Sequence, residues 1–316
     1  MALFDHLALA VDFSEPSRVA LKAAFRLARM GGTPKLTVMH SVEEVVLPTG
    51  DQPVVRARLE ALQERIQSSA QKQLDAMVDE VGAPEGVAVE TRIVEGAPTR
   101  VIPEVCAESG VTLLAVGTHA RKGVRRWLKG SVAESIVRGT KVPVIVMPTG
   151  NDGVTPDEEL KALLNVVIAV DLHAEAAEVV RVAIEGLRAL KKRKPVVTLM
   201  TCEDLSDVPI VGADTEGQEA VDEIRAAMAE GARASLAAIA KTHADSGIEI
   251  QQRVERGDPE DQICAVADEV GASLIVVGTH GRHIAPFIEL GSTTAKVLRS
   301  SNVSVLVVPS HPEHQA

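Results

Sequence analysis

Gly278-Thr279-His280-Gly281, nine intervening residues, then Gly291-Ser292-Thr293-Thr294: the reading of this stretch decides the fold. It follows the apolar run Ser273-Leu274-Ile275-Val276-Val277, which reads as a buried strand. Thr294-Ala295-Lys296-Val297-Leu298 reads as the start of a helix. A strand therefore ends in a glycine turn, a loop crosses, and a Gly-Ser step opens a helix. Glycine lets backbone approach a ligand closely, and a helix N-terminus offers N–H groups to an anion. Hydroxyls at Ser292, Thr293 and Thr294 add donors. This pattern suits a phosphate or a nucleotide.

The pattern occurs twice. Gly117-Thr118-His119-Ala120 follows Thr112-Leu113-Leu114-Ala115-Val116, and after nine residues comes Gly130-Ser131-Val132-Ala133. At the marker positions only Ala120 departs from the second copy. One such spacing is weak evidence, but two in register, each between a strand and a helix, are much stronger.

Outward from these stretches, strands alternate with helices. Leu7 to Val11 is the first strand, ending at Asp12, and Ser14 can cap the helix that Gly31-Gly32 stops. Leu36 to His40 is the second strand. A long amphipathic helix runs from about Val55 to Val81, and Val87 to Val94 is the third strand. Pro98 opens the next helix, the fourth strand precedes the first glycine turn, and Val142 to Met147 is the fifth strand. The polar stretch from Thr149 to Glu159 is a linker, after which the order restarts. Asn165 to Val170 ends at Asp171, the counterpart of Asp12. Val196 to Thr201, Ile248 to Val254, Ser273 to Gly278 and Val303 to Val308 complete the second set. Gly257-Asp258-Pro259 mirrors Gly96-Ala97-Pro98. Such alternation implies parallel βαβ units with right-handed crossovers, and continuous apolar strands imply a sheet covered on both faces.

Composition sets limits. A chain of 316 residues fits two domains, each long enough to bury a core. With 46% hydrophobic residues but no tyrosine, four phenylalanines and one tryptophan, that core is aliphatic. A net charge of −11 argues against nonspecific nucleic-acid binding, which needs clustered Lys and Arg. Cys106, Cys202 and Cys264 are scattered without metal-ligand or CxxC spacing, which fits reduced thiols in the cytoplasm. The N-terminus lacks the basic start of a signal peptide, and no apolar run approaches the ~20 residues of a membrane span.

On the two spaced glycine stretches, the chain resembles the universal stress protein family, specifically its ATP-binding branch. That family's motif is G-x-x-G, nine residues, then G-S or G-T, and the second copy matches it in full. The resemblance covers nearly the whole chain, twice. It implies two open parallel five-stranded sheets of order 3-2-1-4-5 with helices on both faces, a Rossmann-like α/β fold of the adenine nucleotide alpha hydrolase type. The expected domains are 1–149 and 163–311, with a linker at 150–162 and a tail at 312–316. The resemblance further implies that the halves pair with pseudo-twofold symmetry through their fifth strands. The whole chain could in addition form a homodimer.

The ligand it implies is ATP or a related adenine nucleotide, with or without Mg2+. Asp12 and Asp171 end the first strands and contact the base or its surroundings. Ser41 and Cys202 take the position beside adenine, where the family usually has a branched apolar residue. Gly117, His119, Ala120, Gly130, Ser131 and Val132 form the ribose and phosphate cradle of the first half. Gly278, His280, Gly281, Gly291, Ser292 and Thr293 form that of the second. The first loop is basic, with Arg121, Lys122, Arg125, Arg126 and Lys129; the second carries Arg282 and Glu289. No Walker A lysine, Ser/His/Asp order or paired carboxylate stands out, and the family assigns no acid–base duty to the histidines in the turn. The expectation is a stress sensor or regulator with at most slow nucleotide hydrolysis. The other readings are a weak hydrolase on the same site and a scaffold with partly degenerate sites.

Overall fold

The computed structural model describes residues 3–45, 53–119, 131–149, 165–172, 176–190, 194–203, 215–279 and 290–309. The chain divides into two compact units, Met1–Leu160 and Lys161–Ala316.

The first unit runs β1 (His6–Ala10), α1 (Glu15–Gly31), β2 (Lys35–Val42), α2 (Pro53–Val81), β3 (Ala88–Glu95), α3 (Pro98–Glu108), β4 (Leu113–His119), α4 (Val132–Gly139) and β5 (Val144–Thr149). Its strands are parallel in the order β3-β2-β1-β4-β5. The second unit runs β6 (Asn165–Ala169), α5 (Ala176–Ala189), β7 (Val196–Glu203), α6 (Thr215–Thr242), β8 (Glu249–Arg256), α7 (Pro259–Glu269), β9 (Leu274–Gly278), α8 (Ser292–Ser300) and β10 (Ser304–Val308). Its order is β8-β7-β6-β9-β10, again parallel, so each unit is a 3-2-1-4-5 sheet.

Local chemistry explains these elements. Ser14 caps α1 by accepting from the Ser17 N–H, and Pro16 sits in the first turn, where no intrahelical N–H is needed. Gly32 closes the helix at φ 67 and returns its N–H to the Ala28 carbonyl. Leu7, Ala8 and Leu9 are consecutive and fully buried. Successive strand residues point to opposite faces, so both faces of β1 are covered. The largest fully buried side chains include Leu7, Leu9, Leu21, Leu36 and Met39. Each contributes about 1.5–3 kcal/mol relative to exposure.

The duplication is visible in the packing. Ser17, Ala20, Leu21, Ala23, Ala24, Phe25, Leu27 and Ala28 are the buried residues of α1. In α5 they are Ala176, Val179, Val180, Val182, Ala183, Ile184, Gly186 and Leu187, the same positions displaced by one constant offset. The turn after the third strand also repeats, with Gly96 at φ 119 and Gly257 at φ 118. A side chain at Gly96 would lie 2.8 Å from Val101 Cγ1, so both conformation and space require glycine there.

Candidate functional site

In each unit the first and fourth strands pair side by side, and the chain leaves them toward opposite neighbours. That is the switch point, where a crevice opens beyond the carboxyl ends. The β1–β4 ladder runs to Ala10 opposite Val116, so Asp12 and Gly117 sit just past its end. The β6–β9 ladder runs to Ile168 opposite Val276, which places Asp171 and Gly278 likewise.

Asp12 is exposed and tied into the start of α1. Its Oδ1 accepts from the Ser14 N–H at 3.1 Å, the Ser14 hydroxyl at 2.5 Å and the Ser17 hydroxyl at 2.5 Å. Its own N–H donates to Ser17 Oγ at 3.1 Å. The carboxylate therefore organises the first turn of α1. In the second unit the residues corresponding to Ser14 and Ser17 are His173 and Ala176. Ala176 carries no hydroxyl, so Asp171 cannot repeat this network.

Two unforeseen residues lie beside Asp12. Phe13 has φ 61, the one described non-glycine residue at positive φ. Its ring lies against the imidazole of His40, with centroids 4.1 Å apart and planes tilted by 39°. The His40 Nδ1–H donates to the Val11 carbonyl at 2.8 Å, which holds the imidazole at the end of β1. Ser41 follows, half-buried and opposite Val94 in the β2–β3 ladder. A phenylalanine directly after a strand-end aspartate, in a chain with so few aromatics, was the available signal.

The corresponding strand of the second unit differs. Cys202 Sγ lies 4.0 Å from the Pro259 carbonyl at the start of α7. Glu203 follows where the first unit has Val42. Glu203 is 5% exposed, and among the described residues neither carboxylate oxygen has a hydrogen-bond partner. Arg256 Nε stands 3.8 Å away. A glutamate at the place of a buried valine was the signal.

The glycine stretches are built differently. In the first unit β4 does not stop at Gly117 but continues to His119, pairing Gly117 with Met147 and Thr118 with Pro148. Ser131 is the N-cap of α4, and its hydroxyl accepts from the Glu134 N–H at 3.1 Å. Val132 begins the helix and is 52% exposed. In the second unit β9 ends at Gly278. The Gly291 N–H then donates to the Thr279 carbonyl at 2.7 Å, and the Thr294 hydroxyl donates to the Gly278 carbonyl at 2.6 Å. These two bonds seat the start of α8 against the end of β9. Gly291 is the N-cap of α8 at φ −53 and ψ 143, with no side-chain cap bond. Any residue adopts that conformation, so backbone geometry does not require glycine at position 291. Ser292 lies inside the first turn and is exposed, and Thr293 is half-buried beside it.

Lys296 of α8 is taken up locally. Its ammonium lies 3.0 Å from Asp258 and 3.7 Å from Glu260 of α7. The hydrogen bond to Asp258 raises the lysine's pKa and holds the Asp258 carboxyl below its usual range. This lysine's charge is therefore spent at the start of α7, and among the described residues the start of α8 offers backbone N–H groups and hydroxyls as donors. The side chain of His119, together with Ala120, Gly130, His280 and Gly281, lies outside the described residues. So do both loops that separate the glycine pairs. Among the described residues no group of three His, Cys, Asp or Glu is placed to hold a metal ion, and no helix is long and apolar enough to cross a membrane.

Comparison with known proteins bears on this arrangement. A universal stress protein from Mycolicibacterium smegmatis is 28% identical over 298 residues, covering 94% of this chain and 95% of its own. One from Methanocaldococcus jannaschii is 28% identical over 134 residues, 42% of this chain and 78% of its own. The crystal structure of a universal stress protein from Archaeoglobus fulgidus superposes with a TM-score of 0.62, at 20% identity, over 97% of this chain and 98% of its own. The model of the Universal stress protein family matches twice, at residues 3–148 and 163–309. Those matches take in both switch points with their aspartates and glycine stretches, and the chain belongs to the universal stress protein family.

Proposed function

We propose that this protein binds ATP or a related adenine nucleotide at its switch-point crevices and serves as a stress-response sensor or regulator. Family membership supports the stress-response role. Binding would act by shifting a conformational or assembly equilibrium, which requires unequal affinity for the two states.

The observation that carries the nucleotide reading is Gly291. Its N–H is anchored to Thr279, its conformation suits any residue, and as N-cap it adds no side-chain bond to the helix behind it. A glycine without a conformational duty, at the mouth of a helix N-terminus, is explained by room for a ligand. The first-turn N–H groups and the Ser292 and Thr293 hydroxyls would meet phosphate oxygens, with Mg2+ as a counter-ion on them. Asp171 and Cys202 would lie toward the base. Cys106, Cys202 and Cys264 are not disulfide-bonded, which supports action in a reducing compartment such as the cytoplasm.

Two measurements test this. Mass spectrometry of small molecules released on denaturing freshly purified protein is expected to find an adenine nucleotide. Calorimetric titration of the full chain with ATP is expected to show binding that Gly291→Val weakens by at least about tenfold, with the thermal transition retained. Equal affinity in the valine variant, or no binding at millimolar ATP, would overturn the cradle.

A further inference from the structure

The first unit has a second concavity, away from the switch point. It is a cavity of about 450 Å³ between the C-terminal half of α1 and the segment Val81–Glu85 that follows α2. Lys22, Arg26 and Arg29 line it from α1, with Phe25 among them. Those three cations are four and three residues apart, so they share one helix face. Phe25 is 5% exposed and forms the apolar part of the lining. Arg26 reaches deepest, its Nε buried. Glu85 is the one carboxylate in the lining. Neither Lys22 nor Arg29 is ion-paired among the described residues.

This local excess of positive charge runs against the chain, whose net charge is −11. A concave surface with a net excess of one sign of charge concentrates its field on a counter-ion. Solvation of the helix end accounts for Arg29, which lies in the last turn of α1. It does not account for Lys22, more than two turns earlier.

The second unit supplies an internal control. At the same offset, Arg181, Ile184, Glu185 and Arg188 replace Lys22, Phe25, Arg26 and Arg29. There Arg181 is gripped by Glu178 at 2.6 Å and Glu185 at 2.7 Å, which drives its guanidinium pKa up. One copy of this helix face pairs Arg181 with two glutamates, while the other sets Lys22 and Arg29, with Arg26 between them, around a cavity.

We propose that the α1 cavity binds a small, multiply charged anion, either a phosphorylated or a polycarboxylate metabolite. The ammonium of Lys22 and the guanidinium groups of Arg26 and Arg29 meet its charges, and Phe25 lies against its body. The volume suits a small molecule, and paired guanidinium groups suit planar anionic groups. The site is separate from the nucleotide crevices and does not depend on them.

The test titrates the full chain with inorganic pyrophosphate and, separately, with citrate, by calorimetry at low salt. Binding of either anion is expected, weakened at least about tenfold in the double variant Lys22→Ala/Arg29→Ala. Both side chains are exposed, so the variant is expected to keep its thermal transition. Unchanged affinity in Gly291→Val is expected, and it separates this site from the second crevice. Lysine footprinting gives a readout without substitution: the bound anion is expected to protect Lys22 from acetylation. Response to pyrophosphate alone identifies the phosphorylated class, and response to citrate alone the carboxylate class. No binding of either anion at about 10 mM, equal affinity in the double variant, or no protection of Lys22 overturns the proposal.

Discussion

Phe13 and His40 lie ring against ring, 4.1 Å between centroids, while the Phe13 backbone sits at φ 61. The left-handed region costs a residue with a β-carbon about 1–2 kcal/mol, and such strain tends to persist beside functional sites. Phe13→Ala loses the ring contact and keeps the backbone cost. Phe13→Gly loses the contact but removes that cost. The glycine variant is therefore expected to be the more stable of the two by about 1 kcal/mol in urea unfolding. Equal midpoints would show that the turn relaxes around the substitution.

Asp12 and Asp171 occupy corresponding positions with different surroundings. Asp12→Ala removes the acceptor of three hydrogen bonds at the start of α1 and is expected to cost about 1–2 kcal/mol. Asp171→Ala lacks that hydroxyl network. It is expected to change stability by less than about 0.5 kcal/mol while weakening ATP binding in the second crevice. Chemical denaturation and calorimetry on both variants check this, and unchanged ATP affinity would remove Asp171 from the site.

Glu203 is a buried carboxylate with no hydrogen-bond partner among the described residues, where the first unit has Val42. Desolvation without compensation costs a charged group more than the distant Arg256 returns. Glu203→Val is expected to raise stability by about 1–3 kcal/mol, read as a higher urea midpoint. A lower midpoint would mean that the carboxylate is satisfied in solution.

Cys106 is fully buried, and burial pushes its thiol up from 9.0 to about 12. Between those values the unfolded chain has lost the proton and the folded chain has kept it. The unfolded state then binds fewer protons, so stability falls as pH rises through this window. The slope is on the order of 1 kcal/mol per pH unit from this group. Cys264, raised to about 11, adds to it over a narrower range. Unfolding free energies measured from pH 8 to 11 are expected to decline less steeply in Cys106→Ala.

Periodicity made the architecture readable. Runs such as Leu7 to Val11 and the two glycine spacings carry the alternation of strands and helices, the duplication and the place of the glycine turns, while the strand order 3-2-1-4-5 is what the family resemblance implies. Element ends were less readable, because pairing with a neighbour decides them. The fifth strand, expected from Val142, starts at Val144: Pro143 has no N–H and gives its carbonyl to the Leu114 N–H instead. The second strands extend to Val42 and Glu203 because the third strands pair with them that far. Within the site, the Ser131 hydroxyl accepts from the Glu134 N–H as the cap of its own helix, and its O–H is still able to donate. A serine suits both tasks, and the sequence alone does not show which bonds it makes. The left-handed turn at Phe13 was hidden for a similar reason, since its ring partner His40 comes from another strand.

The aliphatic interior has an optical consequence. With no tyrosine and a single tryptophan, the packed core is nearly silent in near-ultraviolet emission. The sole indole, Trp127, falls between Gly117 and Gly130, in the segment that joins the glycine pairs of the first unit. Intrinsic fluorescence is thus an unengineered reporter on that segment. An event that changes the surroundings of Trp127 can be followed without a label. Melting of the second unit, by contrast, would pass unseen and has to be tracked by circular dichroism.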